Sequence, residues 1–278
     1  MPPLPSSQEA AMRLMFIGAH PDDGDGRVGG LAARYVERGG AAMLVSVTNG
    51  NAGHQQMRPA ELAARRREEA RRAGEVIGAD YVVLDYDDGR LTPSLEAREE
   101  LIGLIREFEP DLLLGLRPVD YHADHRAAGQ LVVDASYLLT VPLVRPDVPA
   151  LEGMPVIAYT YDRFTKPLPF QADVVVAVDE YSERKARMLA CHESQMFEWL
   201  PFNGGYLDEV PENAAERWEW FRARCQVRFR AAADTFRARL IERYGADEGD
   251  GVHCAEVFEI CEYGRRPDED LIEKLFPR

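Results

Sequence analysis

The sequence predicts an α/β protein with a Rossmann-like, mostly parallel sheet, helices on both faces, and a C-terminal extension of helices and a strand. Strand-like and helix-like segments alternate through the first half of the chain, and several strand-like runs are almost entirely apolar. Such runs are typical of strands buried on both faces of a parallel sheet, and the alternation indicates right-handed βαβ crossovers. We predict a core at residues 12–200 and an extension at 201–278 that packs on the same domain.

The predicted elements follow from hydrophobic periodicity. Strands are predicted at residues 13–18, 42–47, 81–85, 111–115, 156–161 and 174–178. Helices are predicted at residues 28–38, 59–77, 94–108, 125–139 and 180–192, and one long amphipathic segment at 212–244. Pro59 is typical of a first helical turn, and Gly78 of a helix end. The Pro-rich segment 143–169 predicts a long loop system over the crevice, and the acidic, Gly-rich segment 245–251 predicts a mobile loop.

Composition narrows the function classes. The 278 residues carry a net charge of −15, which argues against a nucleic-acid partner because phosphates require a basic surface. No apolar run reaches the roughly 18 residues of a membrane span, and Met1–Ala11 lacks the charged-then-apolar order of a secretory signal. Four widely spaced cysteines form no CxxC pair. We therefore expect a reduced, cytoplasmic enzyme without a membrane span; a homo-oligomer stays open.

Metal-ligating side chains follow two of the predicted strands. His20, Asp22 and Asp23 come after the first strand, and His122, Asp124 and His125 follow the fourth. Ligands of such sheets bind beyond the carboxyl ends of the strands, so both clusters are expected in one crevice. Imidazole nitrogens and carboxylate oxygens are zinc ligands, and a catalytic zinc site keeps one position open for water.

These residue types suggest individual roles. His20 and Asp23 are near enough in sequence to share one cation, and His125 is the best third ligand. Asp22 is free to accept a proton from an activated water, and His122 to act as a proton donor or oxyanion stabiliser. Each motif also has a purely structural interpretation, in which an aspartate such as Asp124 only caps a helix. Their occurrence after separate strands of one sheet favours the metal site.

A competing motif lies in the same segment. Gly24–Gly29 spells GxGxxG between a strand and a helix, which is the pattern of a dinucleotide-binding turn. Its glycines do not follow the strand directly, and the second strand ends at Asn49 without an acidic residue for a ribose. Loop flexibility and close helix packing explain the glycines better. A nucleotide-binding oxidoreductase and a non-catalytic carbohydrate-binding protein are the alternatives to a hydrolase.

The order of these motifs resembles the PIG-L/LmbE-like family of zinc-dependent de-N-acetylases, which act on N-acetylglucosamine conjugates. The resemblance rests on His20-Pro21-Asp22-Asp23, Thr48-Asn49-Gly50, an Arg/Glu-rich helix and His122-Ala123-Asp124-His125, and spans residues 13–195. It implies that His20, Asp23 and His125 bind Zn²⁺, with another divalent transition metal left open, and that Asp22 is the general base. It implies that His122 stabilises the intermediate or protonates the leaving amine, with Asp124 as its partner. Gly24 stands where the family usually has Glu.

Three further residues are candidate substrate contacts. Asn49 and His54 belong to the loop after the second strand, and Arg66 matches an Arg-x-x-Glu pattern of the family, with Glu69. Arg66 either reaches a substrate hydroxyl or phosphate, braces the site, or forms an ordinary surface ion pair. The predicted reaction is hydrolysis of the acetamide, or another N-acyl group, of an N-acetylated sugar or glycoconjugate.

Overall fold

The computed structural model describes residues 11–278. Its seven strands are β1 (Arg13–Gly18), β2 (Ala41–Thr48), β3 (Asp80–Tyr86), β4 (Leu112–Gly115), β5 (Val156–Thr160), β6 (Val174–Ala177) and β7 (Ala255–Ile260). Its helices are α1 (Asp23–Glu37), α2 (Pro59–Ile77), α3 (Leu95–Phe108), α4 (Ala123–Ser136), α5 (Ser182–Cys191), α6 (Leu200–Gly204), α7 (Ala214–Thr235), α8 (Arg237–Tyr244), α9 (Ala246–Gly251) and α10 (Glu269–Leu275). Short 3₁₀ turns and one π-helical segment, Ser194–Trp199, connect them.

The strands form one sheet in the order β3-β2-β1-β4-β5-β7-β6. The pairs from β3 to β5 are parallel, and β7 runs antiparallel to both of its neighbours. The predicted mostly parallel α/β fold is therefore confirmed. Strands β1 and β4 are almost fully buried because helices cover both faces of the sheet.

The C-terminal region completes the sheet. Strand β7 lies between β5 and β6, and its Glu256 pairs in register with Val176 of β6. The division of the chain at residue 200 stays a prediction; residues 201–278 nevertheless contribute a strand to the interior of the same sheet. A strand that pairs with partners about eighty residues away in sequence has no local signal for its position.

The boundaries of several helices in the structure differ from those predicted. Helix α1 begins at Asp23 rather than at residue 28, so Gly24–Gly29 lies inside a helix and not in a flexible loop. The segment 212–244 is two helices separated at Phe236, and the predicted mobile loop 245–251 contains α9. Of the predicted N-terminal segment, residues 1–10 lie outside the described residues.

The start of the predicted loop system at 143–169 is held against helix α3, and residues 156–160 of the same segment form strand β5. Arg106 of α3 is 2% exposed and donates hydrogen bonds to six backbone carbonyls between residues 138 and 148. A guanidinium so occupied fixes this segment against α3. None of the helices between residues 11 and 278 is long and apolar enough to cross a membrane.

Candidate metal centre

The topology brings the two predicted clusters together. Strands β1 and β4 are neighbours, and the strand order reverses between them, since β2 continues on one side and β5 on the other. The loop after β1 carries His20. The loop after β4 ends at His122, the N-cap of α4, and His125 lies in the first turn of that helix. Both loops leave the carboxyl edge of the sheet at this switch point, which is where open α/β sheets bind ligands.

Three donor atoms converge there. His20 Nδ1 lies 3.2 Å from His125 Nε2, and His125 Nε2 lies 3.4 Å from Asp23 Oδ1. Ligands about 2.0–2.1 Å from a tetrahedral zinc ion are about 3.3 Å apart, so this spacing suits one shared cation. Asp23 is held in place through its other oxygen, Oδ2, which accepts hydrogen bonds from the N–H groups of Ala19 and His20, each at 2.9 Å.

The outer nitrogens of both imidazoles face carboxylates. His20 Nε2 lies 3.2 Å from Asp88 Oδ1 and 3.3 Å from Asp124 Oδ2, and His125 Nδ1 lies 3.1 Å from Asp120 Oδ2. Carboxylates in these positions favour protons on the outer nitrogens and direct the inner lone pairs to a metal. Asp88 and Asp120 are not among the residues predicted from the sequence, although both follow sheet strands at the same edge.

The electrostatics favour a positive charge at this point. Burial alone lowers the pKa of His20, but hydrogen bonds to Asp124 and Asp88 and the charge of Asp23 raise this pKa to about 10. His20 also belongs to two potential ligand groups, one with His122 and His125 and one with Asp88 and Asp124. Among the described residues the cluster is therefore rich in ligands and acidic, as a divalent cation requires.

Asp124 contacts a different residue from the one expected. Its carboxylate, which is fully buried, lies against His20 and accepts hydrogen bonds from the N–H groups of Gly89 and Leu91, at 2.6 and 3.2 Å. The expected partnership with the His122 ring is replaced by a backbone contact, in which Asp124 N–H donates to His122 Nδ1 at 3.2 Å. A contact across 104 residues of sequence could not be inferred from the adjacency of the two residues.

His122 lies at the N-terminus of α4 with its ring centroid 4.7 Å from that of His20. Burial and the neighbouring imidazoles of His20 and His125 lower the pKa of His122. Its Nδ1 also accepts the capping hydrogen bond, which a neutral ring permits and a doubly protonated ring does not. The geometry therefore favours a neutral His122 that donates from Nε2.

A cleft of about 410 Å³ opens over these groups. Arg66, which is 2% exposed, lines it, and its Nη2 donates to Asp22 Oδ1 at 3.1 Å. The Arg66 guanidinium also lies under Gly50, whose carbonyl accepts from Nη1 at 3.3 Å. Arg66 thus braces Asp22 while it forms part of the cleft wall. Gln195 and Trp199, from the chain after α5, also line the cleft.

Asn49 and His54 lie outside this cleft. Asn49 is buried, donates to Asp85 Oδ1 at 3.0 Å and accepts from Asn51 N–H at 3.1 Å. His54 Nε2 faces Glu198 Oε2 at 2.9 Å, and its Nδ1 accepts two backbone hydrogen bonds, from residues 56 and 57. Because these contacts use the polar atoms of both side chains, the structure gives them a role in shaping the loop.

The glycines of the GxGxxG pattern are packing positions. A Cβ at Gly24 would lie 3.0 Å from the ring of Phe16, and one at Gly29 would lie 3.2 Å from Met188 Sδ. Both contacts bring α1 close to its neighbours. The hypothesis of a phosphate-binding turn therefore fails, since these glycines lie within a helix that is packed on both sides.

Comparison with known proteins agrees with this geometry. A family model described as PIG-L, GlcNAc-PI de-N-acetylase, matches residues 15–136, the segment that contains both histidine clusters. Over these residues the chain is similar to PIG-L de-N-acetylases. The family resemblance inferred from the sequence is thereby confirmed.

Two deacetylases and a hydratase extend the likeness beyond the matched segment. Diacetylchitobiose deacetylase of Thermococcus kodakarensis is 29% identical over 215 residues, which cover 74% of this chain and 73% of that protein. The N,N'-diacetylchitobiose deacetylase structure from Pyrococcus horikoshii has a TM-score of 0.68 at 24% identity, covering 95% of this chain and 90% of that one. A 4-carboxy-2-hydroxymuconate hydratase from Pseudomonas putida has a TM-score of 0.69 at 19% identity, covering 93% and 99%.

Proposed function

We propose that this protein is a metal-dependent hydrolase that removes the acetyl or another acyl group from the amine of an N-acetylated sugar or sugar conjugate. The observation that carries the proposal is the convergence of His20 Nδ1, Asp23 Oδ1 and His125 Nε2 on one side of an open cleft, with Asp22 beside them. The diacetylchitobiose deacetylase relative supports an amide of an amino sugar as the substrate class.

The donor set fits Zn²⁺. Two imidazoles and one carboxylate at these spacings are a ligand set that zinc accepts, and the cleft leaves room for water. The alternative set of three imidazoles, with His122 in place of Asp23, would leave Asp23 Oδ1 facing the cluster unused. We therefore assign the metal to His20, Asp23 and His125. When bound there, zinc supplies Lewis-acid polarisation of the acyl oxygen and a more acidic water.

Asp22 is the proposed general base. It lies between the loop residue His20 and the ligand Asp23, and it is partly exposed to the cleft. Arg66 binds only its Oδ1, so Oδ2 can accept a proton from the attacking water. The buried guanidinium fixes the carboxylate in orientation, which is the requirement for efficient proton transfer.

His122 is the proposed donor to the reacting acyl group. Its Nδ1 is held by the backbone of α4, so its Nε2–H has a defined direction in the cleft. A neutral donor of this kind stabilises charge that develops on the acyl oxygen. Asp124 does not contact the substrate in this proposal; it orients the ring of His20 rather than that of His122.

Hydration of an activated double bond is the second candidate. It is favoured by the similarity in fold to the hydratase, which is as great as that to the deacetylase. Both reactions begin with an activated water, and the groups above could serve either. The relative at 29% identity is a deacetylase, so we give amide hydrolysis precedence.

The test is a metal-controlled product assay. The protein would first be stripped of metal with a chelator and then assayed as such and after addition of Zn²⁺, Mn²⁺ or Mg²⁺. The substrates would be N-acetylglucosamine, N,N'-diacetylchitobiose and an unsaturated dicarboxylate. Release of acetate and a free amine that requires added metal supports the proposal. Loss of alkene absorbance without acetate release would support hydration instead of amide hydrolysis. Metal-independent acetate release would contradict the role of the cluster.

A further inference from the structure

A second cavity, of about 490 Å³, adjoins the metal cleft. We call it the arginine groove and define it by Arg27, Tyr121, Arg163, Phe164, Lys185 and Arg228. Tyr121, which is 74% exposed, lines both the groove and the metal cleft. A substrate with its amide at the metal can therefore extend past this one ring into the groove.

The carboxylates of the groove are already engaged. Glu256 accepts hydrogen bonds from the N–H groups of Gly30 and Leu31, at 2.8 and 2.9 Å, and lies 2.6 Å from Lys185 Nζ. Asp162 binds the guanidinium of Arg117 through both oxygens, at 2.6 and 2.7 Å. The third carboxylate, Asp120, faces His125 Nδ1. These acids have cationic or N–H partners of their own.

Two arginines of the groove have no such partner. Within residues 11–278, Arg163 and Arg228 make no hydrogen bond or ion pair, and both are exposed. Two unpaired guanidinium groups that line one cavity create a positive potential beside an acidic metal cluster.

The surrounding chain leaves space for these groups. Along α7, the groove is lined by Arg228, Ala231, Ala232 and Thr235, at the i, i+3, i+4 and i+7 spacing of one helical face. The short alanine side chains leave space above this face of the helix. Across the groove, a Cβ at Gly26 would lie 3.3 Å from Arg228 Nη2, so a glycine lets the guanidinium approach α1 closely.

We propose that the arginine groove binds an anionic group of the substrate, a carboxylate or a phosphate, while the N-acyl group occupies the metal cleft. A guanidinium presents paired N–H donors that match both oxyanions. The groove volume accommodates a unit the size of one sugar ring. The inference rests on the proposed hydrolase function and specifies its substrate as an acidic rather than a neutral conjugate.

The kinetic test compares N-acetylglucosamine with its 6-phosphate and with N-acetylmuramic acid, which carries a carboxylate. We expect kcat/KM to be at least tenfold higher for one of the two anionic substrates, and which of them is preferred distinguishes phosphate from carboxylate. In the Arg163→Ala/Arg228→Ala variant this preference should fall at least tenfold, mainly through KM. Arg230→Ala is the matched control, because Arg230 is on the same helix but outside the groove, beside Asp234.

A binding measurement separates this inference from the hydrolase proposal. Full-length protein would be titrated calorimetrically with glucosamine, glucosamine 6-phosphate and muramic acid. A bound metal would contribute equally to the affinities of wild type and variants, so it does not affect their comparison. An anionic ligand should bind at least tenfold more tightly than glucosamine, and the double variant, but not Arg230→Ala, should lose the difference. Such binding without acetate release from any substrate would overturn only the hydrolase proposal. No preference for either anion, or a preference that survives in the double variant with its melting temperature unchanged, would overturn the groove.

Discussion

Charged groups meet at two places along helix α1, and the two clusters differ in how many polar atoms remain available. At the middle of the helix, Glu256 uses both oxygens for Lys185 and two backbone N–H groups, and the pair is nearly inaccessible to solvent. At its N-terminal end, Asp22 has one oxygen without a hydrogen bond to a described residue, and His20 Nδ1 and His125 Nε2 face each other. The saturated cluster holds α1 to the sheet. The unsaturated cluster retains the capacity to bind a cation.

The sharpest test of this contrast removes two ligands at once. Asp23→Ala/His125→Ala should abolish metal binding and lower activity by about 10³-fold or more, because the metal supplies several kcal/mol of transition-state stabilisation. Elemental analysis of protein purified without chelators gives the metal content directly. Equal metal in wild type and variant would place the ion elsewhere, and circular dichroism would verify the fold.

Asp22→Asn separates proton transfer from metal binding. The amide keeps the shape of the side chain but cannot accept the proton, so kcat should fall by about 10²–10⁴-fold with metal content unchanged. Steady-state kinetics on the best N-acetylated substrate measure the effect. Full activity in this variant would mean that another group is the base.

In the saturated cluster, Lys185→Met should affect stability rather than metal binding. Loss of one member of a buried ion pair leaves the other uncompensated and costs about 3–5 kcal/mol. Urea unfolding would measure the change in free energy. The control is Arg187→Met on the same helix, where the pair with Glu183 is exposed and is worth less than about 1 kcal/mol. Similar losses in both variants would remove the distinction between the clusters.

A smaller effect is expected at the support of His20. Asp124→Asn should weaken metal affinity by about 10–100-fold, since the carboxylate orients the ligand without touching the ion. Competition with a chromogenic chelator gives the affinity. Asp134→Asn, on the same helix and bonded to Gln130, should leave it unchanged. An equal loss in both would indicate a general effect on α4.

The smallest functional effect is expected outside the cleft. His54→Gln should lower stability by about 1 kcal/mol through lost hydrogen bonds and change KM by less than about twofold, or about 0.4 kcal/mol. Thermal unfolding and steady-state kinetics check the two expectations. A large rise in KM at constant stability would restore His54 to the substrate contacts that the sequence suggested.

Much of the fold could be predicted because its determinants are local. The boundaries of α2 agree with the prediction from Pro59 to Ile77, since a proline starts the helix and Gly78, at φ 74°, ends it. The parallel strands were visible as apolar runs between turns. Helix α1 was predicted too short because its glycines suggested a loop, whereas contacts with Phe16 and Met188 hold them in the helix.

The sequence by itself determined which side chains lie at the strand ends, because strand and helix periodicity repeats over a few residues. It thereby determined that His20, Asp23 and His125 belong to one edge of the sheet. Only the tertiary structure decided that Asp124 and Asp88 support His20, that Asp120 supports His125, and that β7 enters the sheet between β5 and β6. These contacts join residues that are distant along the chain, so they depend on sheet order and packing, for which no local pattern of residues is a signal.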